Sequence, residues 1–563
     1  MSSEQRSAQN SSSLPPAPSL HRAGRHWFNH QVVVIAALCL VLGIAAAVRL
    51  RLLDFPLERD EGEYAYMGQQ ILQGTPPYRE SCNMKWPGTY MAYAAIMAIF
   101  GQTPAGIHTG LILVNLTGSL LLFVLARRIG GPWCGCVAAG FNALVSLSEP
   151  TLGLAGHATH FVVVFALAGL VQLTERCSAI TTRQAFAAGV FFGLATLMKQ
   201  PGAGFGVFAV AWLVWREFVH GERRGIRLAQ RLVAIGCGGT LPLAITALWL
   251  WWSGAWPEFW RWTVLYAGAY ATQISPANGL LFLRYISVEL WQGAPWLWGL
   301  SCLGLPALFC HRPLQPWRSF VAAFAVFSFA AVCPGLYFRG HYFLLFLPAA
   351  GLLAGIATVT LTEWASRWSR QGRLAALPAL LVVSACGQAL WTGRTLYFHD
   401  TPDQACSRLY RSSPFVASLE IGRYLRTHAG PQARIAVIGS EPQICFYAQR
   451  RSATRFLYTY PLMEHQPLAN AMRQQFIREV ETTEPDYAVF IRTAKSWGTG
   501  PSSSPEIFRW FERYQAEQLE PVGLVETTDD GRVSFNWSVD GKLRPPRSLN
   551  AVTIFRRRPL ATP

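Results

Sequence analysis

The chain has 563 residues, 51% of them hydrophobic and only 14% charged, with a formal net charge of +17. Several apolar runs reach the roughly 20 residues that a membrane-spanning helix needs, which excludes an ordinary soluble enzyme. The basic residues sit mainly in short loops between those runs, as the positive-inside rule requires, so the charge calls for no nucleic acid partner.

In chain order, residues 1–30 are rich in Ser, Pro and Ala and read as a disordered cytoplasmic tail. An apolar run over about 32–50 follows a basic patch at 21–25. It is longer than a signal-peptide core and lacks a clear small-residue cleavage site, so it reads as an uncleaved anchor with the N-terminus inside. The next stretch packs Glu58, Arg59, Asp60, Glu61, Glu63 and Lys85 into one loop directly after that anchor. Residues 88–101 are apolar but too short to span, and read as a juxtamembrane helix within a first outer loop over 51–104. Ten further spans are expected, at about 105–126, 132–148, 156–174, 184–199, 203–219, 231–252, 294–311, 319–334, 341–361 and 374–391, about eleven with the first. With that count the Arg-rich loops fall inside, and the loops at 51–87, 149–156, 199–202, 253–293 and 334–341 fall outside.

The transmembrane domain therefore runs over 31–394, and 395–563 has the composition of a small soluble α/β domain, placed outside by span parity. Strands are expected at 433–439, 455–460, 486–492 and 551–555, with helices at 441–449 and 467–483. Gly439-Ser-Glu departs from a phosphate-binding fingerprint, so no nucleotide site is assigned.

Asp60 and Glu61 suit a general base at the membrane boundary, or equally a helix N-terminal cap. Lys85 suits a lipid phosphate, or an interfacial anchor beside Trp86. Only four of the 48 basic residues are lysine, and Lys199 ends a span on the outer side, where snorkelling and an anionic ligand explain it equally. Arg339, His341 and Tyr342 form a late outer cluster before an apolar run. His157 and His160, with Glu149 nearby, read as the polar lining of a substrate cavity. Two histidines without a third ligand are weak ground for a metal, and none is assigned. The 12 cysteines show no metal spacing either.

Three stretches carry a resemblance: Arg59-Asp-Glu-Gly-Glu-Tyr-Ala-Tyr66, Lys85-Trp-Pro-Gly-Thr-Tyr90 and Met198-Lys-Gln-Pro-Gly202. With His341-Tyr-Phe-Leu-Leu-Phe-Leu-Pro348 and Ile438-Gly-Ser-Glu-Pro-Gln-Ile-Cys-Phe446, they make the chain resemble the GT-C membrane glycosyltransferases grouped with protein O-mannosyltransferases and lipid A aminoarabinose transferases. The resemblance implies a polytopic GT-C fold and a polyprenyl-phosphate-linked sugar as donor. The acceptor would be a protein, glycolipid or cell-surface glycan on the outer face of the cytoplasmic membrane. It assigns the essential acidic role to Asp60, with Glu61 beside it, and the carrier phosphate to Lys85, assisted by Arg339, His341 and Lys199. Arg59, Tyr64, Glu149, His157, His160 and Tyr342 are candidates for the cavity wall. No cofactor is required by this scheme and a divalent metal is not expected. The competing readings are a lipid-linked sugar transporter or flippase, and a non-catalytic outer-face scaffold. The first predicts charges deep in spans and a pseudo-repeat, and the sequence shows neither.

Overall fold

A computed structural model describes residues 20–174, 180–220, 225–368, 376–411, 413–528, 532–538 and 543–559. Helix α1 (Leu20–Arg51) is followed by two short helices, α2 (Arg59–Leu72) and α3 (Pro87–Phe100), then by α4 (Pro104–Gly130) and α5 (Pro132–Val145). Next come α6 (Ala158–Leu173), α7 (Thr182–Met198), α8 (Ala203–His220) and α9 (Gly225–Trp252). After two one-turn helices, α10 (Trp256–Trp260) and α11 (Ala267–Ala271), the chain forms α12 (Pro276–Gly293), α13 (Pro295–Cys310), α14 (Arg318–Ala330), α15 (Leu347–Trp368) and α16 (Leu377–Thr392).

Helices thus occupy all eleven stretches read as spans, and α3 is the predicted short helix. Among the described residues, five helices are long and apolar enough to cross a membrane: α1, α4, α8 with its leading turn, α9 and α15. The pair α12 and α13 meets the same test together but is bent by 111°. Pro295, which lacks the N–H a continuing helix would need, starts α13 at that bend.

Three expectations need correction. Helix α1 begins at Leu20, so the disordered tail cannot run to residue 30; Pro18 is the last helix-breaking proline, and residues 1–19 lie outside the described set. The 253–293 segment is largely helical, because its apolar residues recur at helical spacing in α12. The run beginning at 341 starts with a 3-10 turn (Gly340–Leu345), and the long helix opens only at Leu347.

Close packing in the bundle uses small residues. Gly189 and Gly193 lie one turn apart on α7, and a methyl group on Gly193 would sit 2.2 Å from the Gly239 carbonyl of α9. The chain ends of α2–α4 are set by local chemistry. The Glu58 carboxylate caps α2 by accepting from Glu61 N at 3.0 Å, and Pro87 and Pro104 open α3 and α4 near their first positions, where no N–H partner is lost.

The C-terminal part is α/β as predicted. It contains α17 (Pro402–Tyr410), α18 (Phe415–His428), β1 (Arg434–Ile438), α19 (Gln443–Ala448), β2 (Arg451–Ser452) and α20 (Tyr460–Met463). Then follow α21 (Ala469–Thr483), β3 (Tyr487–Ile491), α22 (Glu506–Gln518), β4 (Leu519–Thr527), β5 (Val533–Trp537) and β6 (Ala551–Arg557). The sheet order is β2-β1-β3-β6-β4-β5, parallel over the first three strands and antiparallel over the rest. Residues 455–460 are not a strand. Their hydrogen bonds go elsewhere: Arg455 O accepts from Cys82 N at 2.8 Å, and Thr459 N donates to Ser440 Oγ at 2.9 Å. The first of these ties the soluble domain to the loop after α2.

Candidate active site

Three loops and one helix start converge beside the soluble domain. Glu58 caps α2, Asp60 and Glu61 lie in its first turn and Glu63 follows, and the helix sense separates them. Asp60 keeps 16% of its side chain exposed, whereas Glu61 and Glu63 are fully buried. Asp60 Oδ1 receives the Lys85 ammonium at 2.9 Å and the Tyr458 hydroxyl at 3.1 Å. Lys85 also lies 3.2 Å from the Tyr64 hydroxyl and 3.8 Å from Glu63 Oε2. Glu63 in turn accepts from the Tyr90 hydroxyl at 2.5 Å.

Burial raises the Asp60 carboxyl, but Lys85, with His341 and His157 behind it, outweighs that and holds it well below the usual range. The Lys85 ammonium is correspondingly held well above its ordinary value, burial opposing and Asp60 prevailing. Burial pushes the Glu58 and Glu63 carboxyls up from their ordinary values.

Further cations stand near the pair. Lys199, in the turn between α7 and α8, lies 4.0 Å from the centre of the Tyr342 ring. Burial, with Lys85 second, lowers its ammonium to about 7. Arg339 is exposed and lies over Tyr337, its guanidinium 3.5 Å from the Tyr270 hydroxyl. His341 is buried and stacks face to face on His157, ring centres 4.0 Å apart. His341 of the late cluster and His157, just before α6, therefore meet beside Asp60.

Other expected residues are placed differently. Glu61 is fully buried. Its Oε1 accepts from Gly156 N at 2.6 Å and lies 3.0 Å from His108 Nε2, so it ties α2 to α4 and to the loop before α6. Arg59 turns the other way and clamps the soluble domain through Glu441 at 2.6 Å and the Ser440 carbonyl at 2.6 Å. His160 points into a separate small space with Asn115, Ser146 and Leu344. Glu149 borders a different groove with Asp400, Arg408 and Arg411.

Sequence reasoning missed Tyr458, Tyr270 and the buried Glu63. Only Glu63 carries a signal, lying one turn from Asp60 on the same helix. Tyr458 comes from nearly 400 residues away, and no spacing announces it.

The helical bundle, its short first-loop helices and the α/β domain docked upon them define a GT-C-type fold. The structure of ArnT from Cupriavidus metallidurans bound to undecaprenyl phosphate is similar at a TM-score of 0.52 and 16% identity, over 92% of this chain and 99% of that one. The archaeal oligosaccharyltransferase AglB from Archaeoglobus fulgidus, in complex with an inhibitory peptide and a dolichol-phosphate, is similar at a TM-score of 0.51 and 12% identity, over 91% and 75% of the two chains. In sequence, residues 85–252 match the family model described as dolichyl-phosphate-mannose-protein mannosyltransferase. No curated protein matches the chain. The match begins at Lys85, so it covers that lysine and Lys199 and leaves the Asp60 turn outside.

Proposed function

We propose that the chain is a membrane glycosyltransferase that passes a sugar from a polyprenyl-phosphate donor to a hydroxyl of a protein, glycolipid or glycan. The observation that carries this reading is the Asp60–Lys85 ion pair at 2.9 Å, with Lys199 and Arg339 near enough to feel the charge of Asp60. A carboxylate for the acceptor stands beside cations for a lipid phosphate, on a GT-C fold whose family match includes both lysines. The site is assigned to the outer face of the cytoplasmic membrane, from the distribution of basic loops.

In the proposed reaction Lys85 turns from Asp60 to the donor phosphate, with Lys199 and Arg339 supplying further positive charge. Loss of that ion pair lets the Asp60 carboxylate rise in basicity as the acceptor hydroxyl arrives. The acceptor oxygen bonds to the anomeric carbon, the bond from that carbon to the phosphate oxygen breaks, and Asp60 takes the hydroxyl proton. Polyprenyl phosphate leaves as the anion held by Lys85, and a single displacement inverts the anomeric centre. These residues perform the step without a nucleotide or a bound cofactor.

The test is transfer of radiolabelled sugar from a panel of polyprenyl-phosphate donors in membranes carrying wild type or Asp60→Asn. Label should move to an acceptor in the wild type and fall by at least about a hundredfold in the variant, the scale of general acid–base assistance. Equal transfer by both would remove Asp60 from the chemistry. Consumption of no donor by wild type would remove the transferase reading.

A further inference from the structure

The turn that presents Arg339 is strained. Leu336 (φ 57°) and Phe338 (φ 43°) both sit in the left-handed region, after Gly335 (φ 78°). Non-glycine residues keep that conformation only where the surroundings impose it, and such strain gathers at functional positions. Two left-handed residues on either side of Tyr337, directly before Arg339, therefore call for something that holds the turn. Part of the hold is steric. A methyl group on Gly279 of α12 would lie 2.8 Å from the Leu336 Cβ, and Phe338 is buried.

The rest of the hold is polar and comes from the soluble domain. Glu464, at the end of α20, accepts from the Tyr266 hydroxyl at 2.7 Å and from Gln273 Nε2 at 3.0 Å. The other end of the same amide, Gln273 Oε1, accepts from the Tyr337 hydroxyl at 3.0 Å. Tyr337 in turn stacks on Tyr270, with ring centres 4.6 Å and planes 10° apart. The Arg339 guanidinium lies 5.4 Å from the centre of the Tyr337 ring, beside the Tyr270 hydroxyl. An unbroken line of contacts runs from a carboxylate of one domain to a guanidinium of the other. We infer that Glu464 and Gln273 are positioning residues, which lock the strained 335–338 turn and so aim Arg339 at the donor phosphate.

The direction of each bond fits a lock rather than a chance contact. An ionised carboxylate only accepts, so the Gln273 NH2 must face Glu464, and its oxygen is left to the Tyr337 phenol. A bond to an ionised group is stronger than one between neutral groups, which puts the firmest link at the soluble-domain end. Glu464 and Gln273 are half-buried, whereas Arg339 is exposed and makes no ion pair among the described residues. Its charge therefore remains for an anion, while its position is set from outside the bundle. That the anion is the donor phosphate rests on the proposed function; the lock itself does not.

Two measurements on full-length protein in detergent separate the lock from the aim. Hydrogen–deuterium exchange reports the lock. Gln273→Ala and Glu464→Ala should each speed exchange across 335–342 by at least about tenfold, as local opening becomes easier, with β1 and β3 unchanged. Unchanged exchange across 335–342 would overturn the lock. Binding of radiolabelled polyprenyl phosphate reports the aim. Tyr337→Phe deletes only the hydroxyl and keeps the ring stack. It should weaken binding by about five- to tenfold, and Gln273→Ala should match it, but neither should weaken it further in an Arg339→Ala background. Equal losses in both backgrounds would overturn the positioning role, and so would wild-type binding by Arg339→Ala alone. Wild-type protein that binds no lipid would count against the transferase reading, whereas the exchange result decides the lock in either case.

Discussion

At the scale of single residues, neighbouring carboxylates of one turn have opposite duties. Asp60 is partly exposed and paired with a lysine, while Glu61 accepts from two groups of other elements inside the protein. Glu61→Ala should therefore act through structure, leaving Gly156 N and His108 without their shared acceptor at a cost on the order of 3 kcal/mol. A lowered midpoint of thermal unfolding for Glu61→Ala, with Asp60→Asn close to wild type, is the expected outcome. The pair reads as two equivalent acids in the sequence, because only the packing of α4 and the 153–157 loop tells them apart. Lys199 gives a second residue-level test. Its ammonium titrates at about 7, so its charge is present below that pH and lost as pH rises through it. Under the proposed function, kcat/KM for the donor should fall as pH rises through about 7, and Lys199→Arg should remove that fall because guanidinium stays charged.

At the scale of elements, α2 is held between two domains. One side of it meets Lys85 through Asp60, and another meets α19, where a methyl group on Gly62 would lie 2.6 Å from the Gln443 Cβ. Arg59 adds the salt bridge to Glu441, whose side chain is fully buried. Gly62→Ala should push the two helices apart at a cost of about 1–3 kcal/mol, seen as earlier unfolding and faster proteolysis of the soluble domain. Hydropathy made the helices of the bundle legible, and the strands β1, β3 and β6 were legible from short runs of apolar and β-branched residues. The 455–460 segment failed the same test because its backbone is satisfied by Cys82 and Ser440, partners that no local pattern reveals. For the site, Asp60, Lys85, Lys199, Arg339 and His341 were legible as polar residues where loops leave apolar runs. Tyr458 was not, since it reaches Asp60 only after the domains dock.

At the scale of the whole molecule, the soluble domain is part of the Asp60 site rather than an appendage. Tyr458 bonds Asp60, Arg59 bonds Glu441, and the Tyr447 hydroxyl accepts from Leu57 N at 2.9 Å, all across the domain boundary. The bundle presents cations to one side of Asp60 and the soluble domain covers another, which in the proposed function leaves the donor lipid and the acceptor to approach by different routes. The central claim is a division of labour between Lys85 and Asp60, and binding of radiolabelled polyprenyl phosphate to purified protein measures it most directly. Lys85→Ala should lose most of the bound lipid, while Asp60→Asn should retain it at wild-type level or above, since it frees the lysine. Retention of the lipid by Lys85→Ala and its loss from Asp60→Asn would contradict the account.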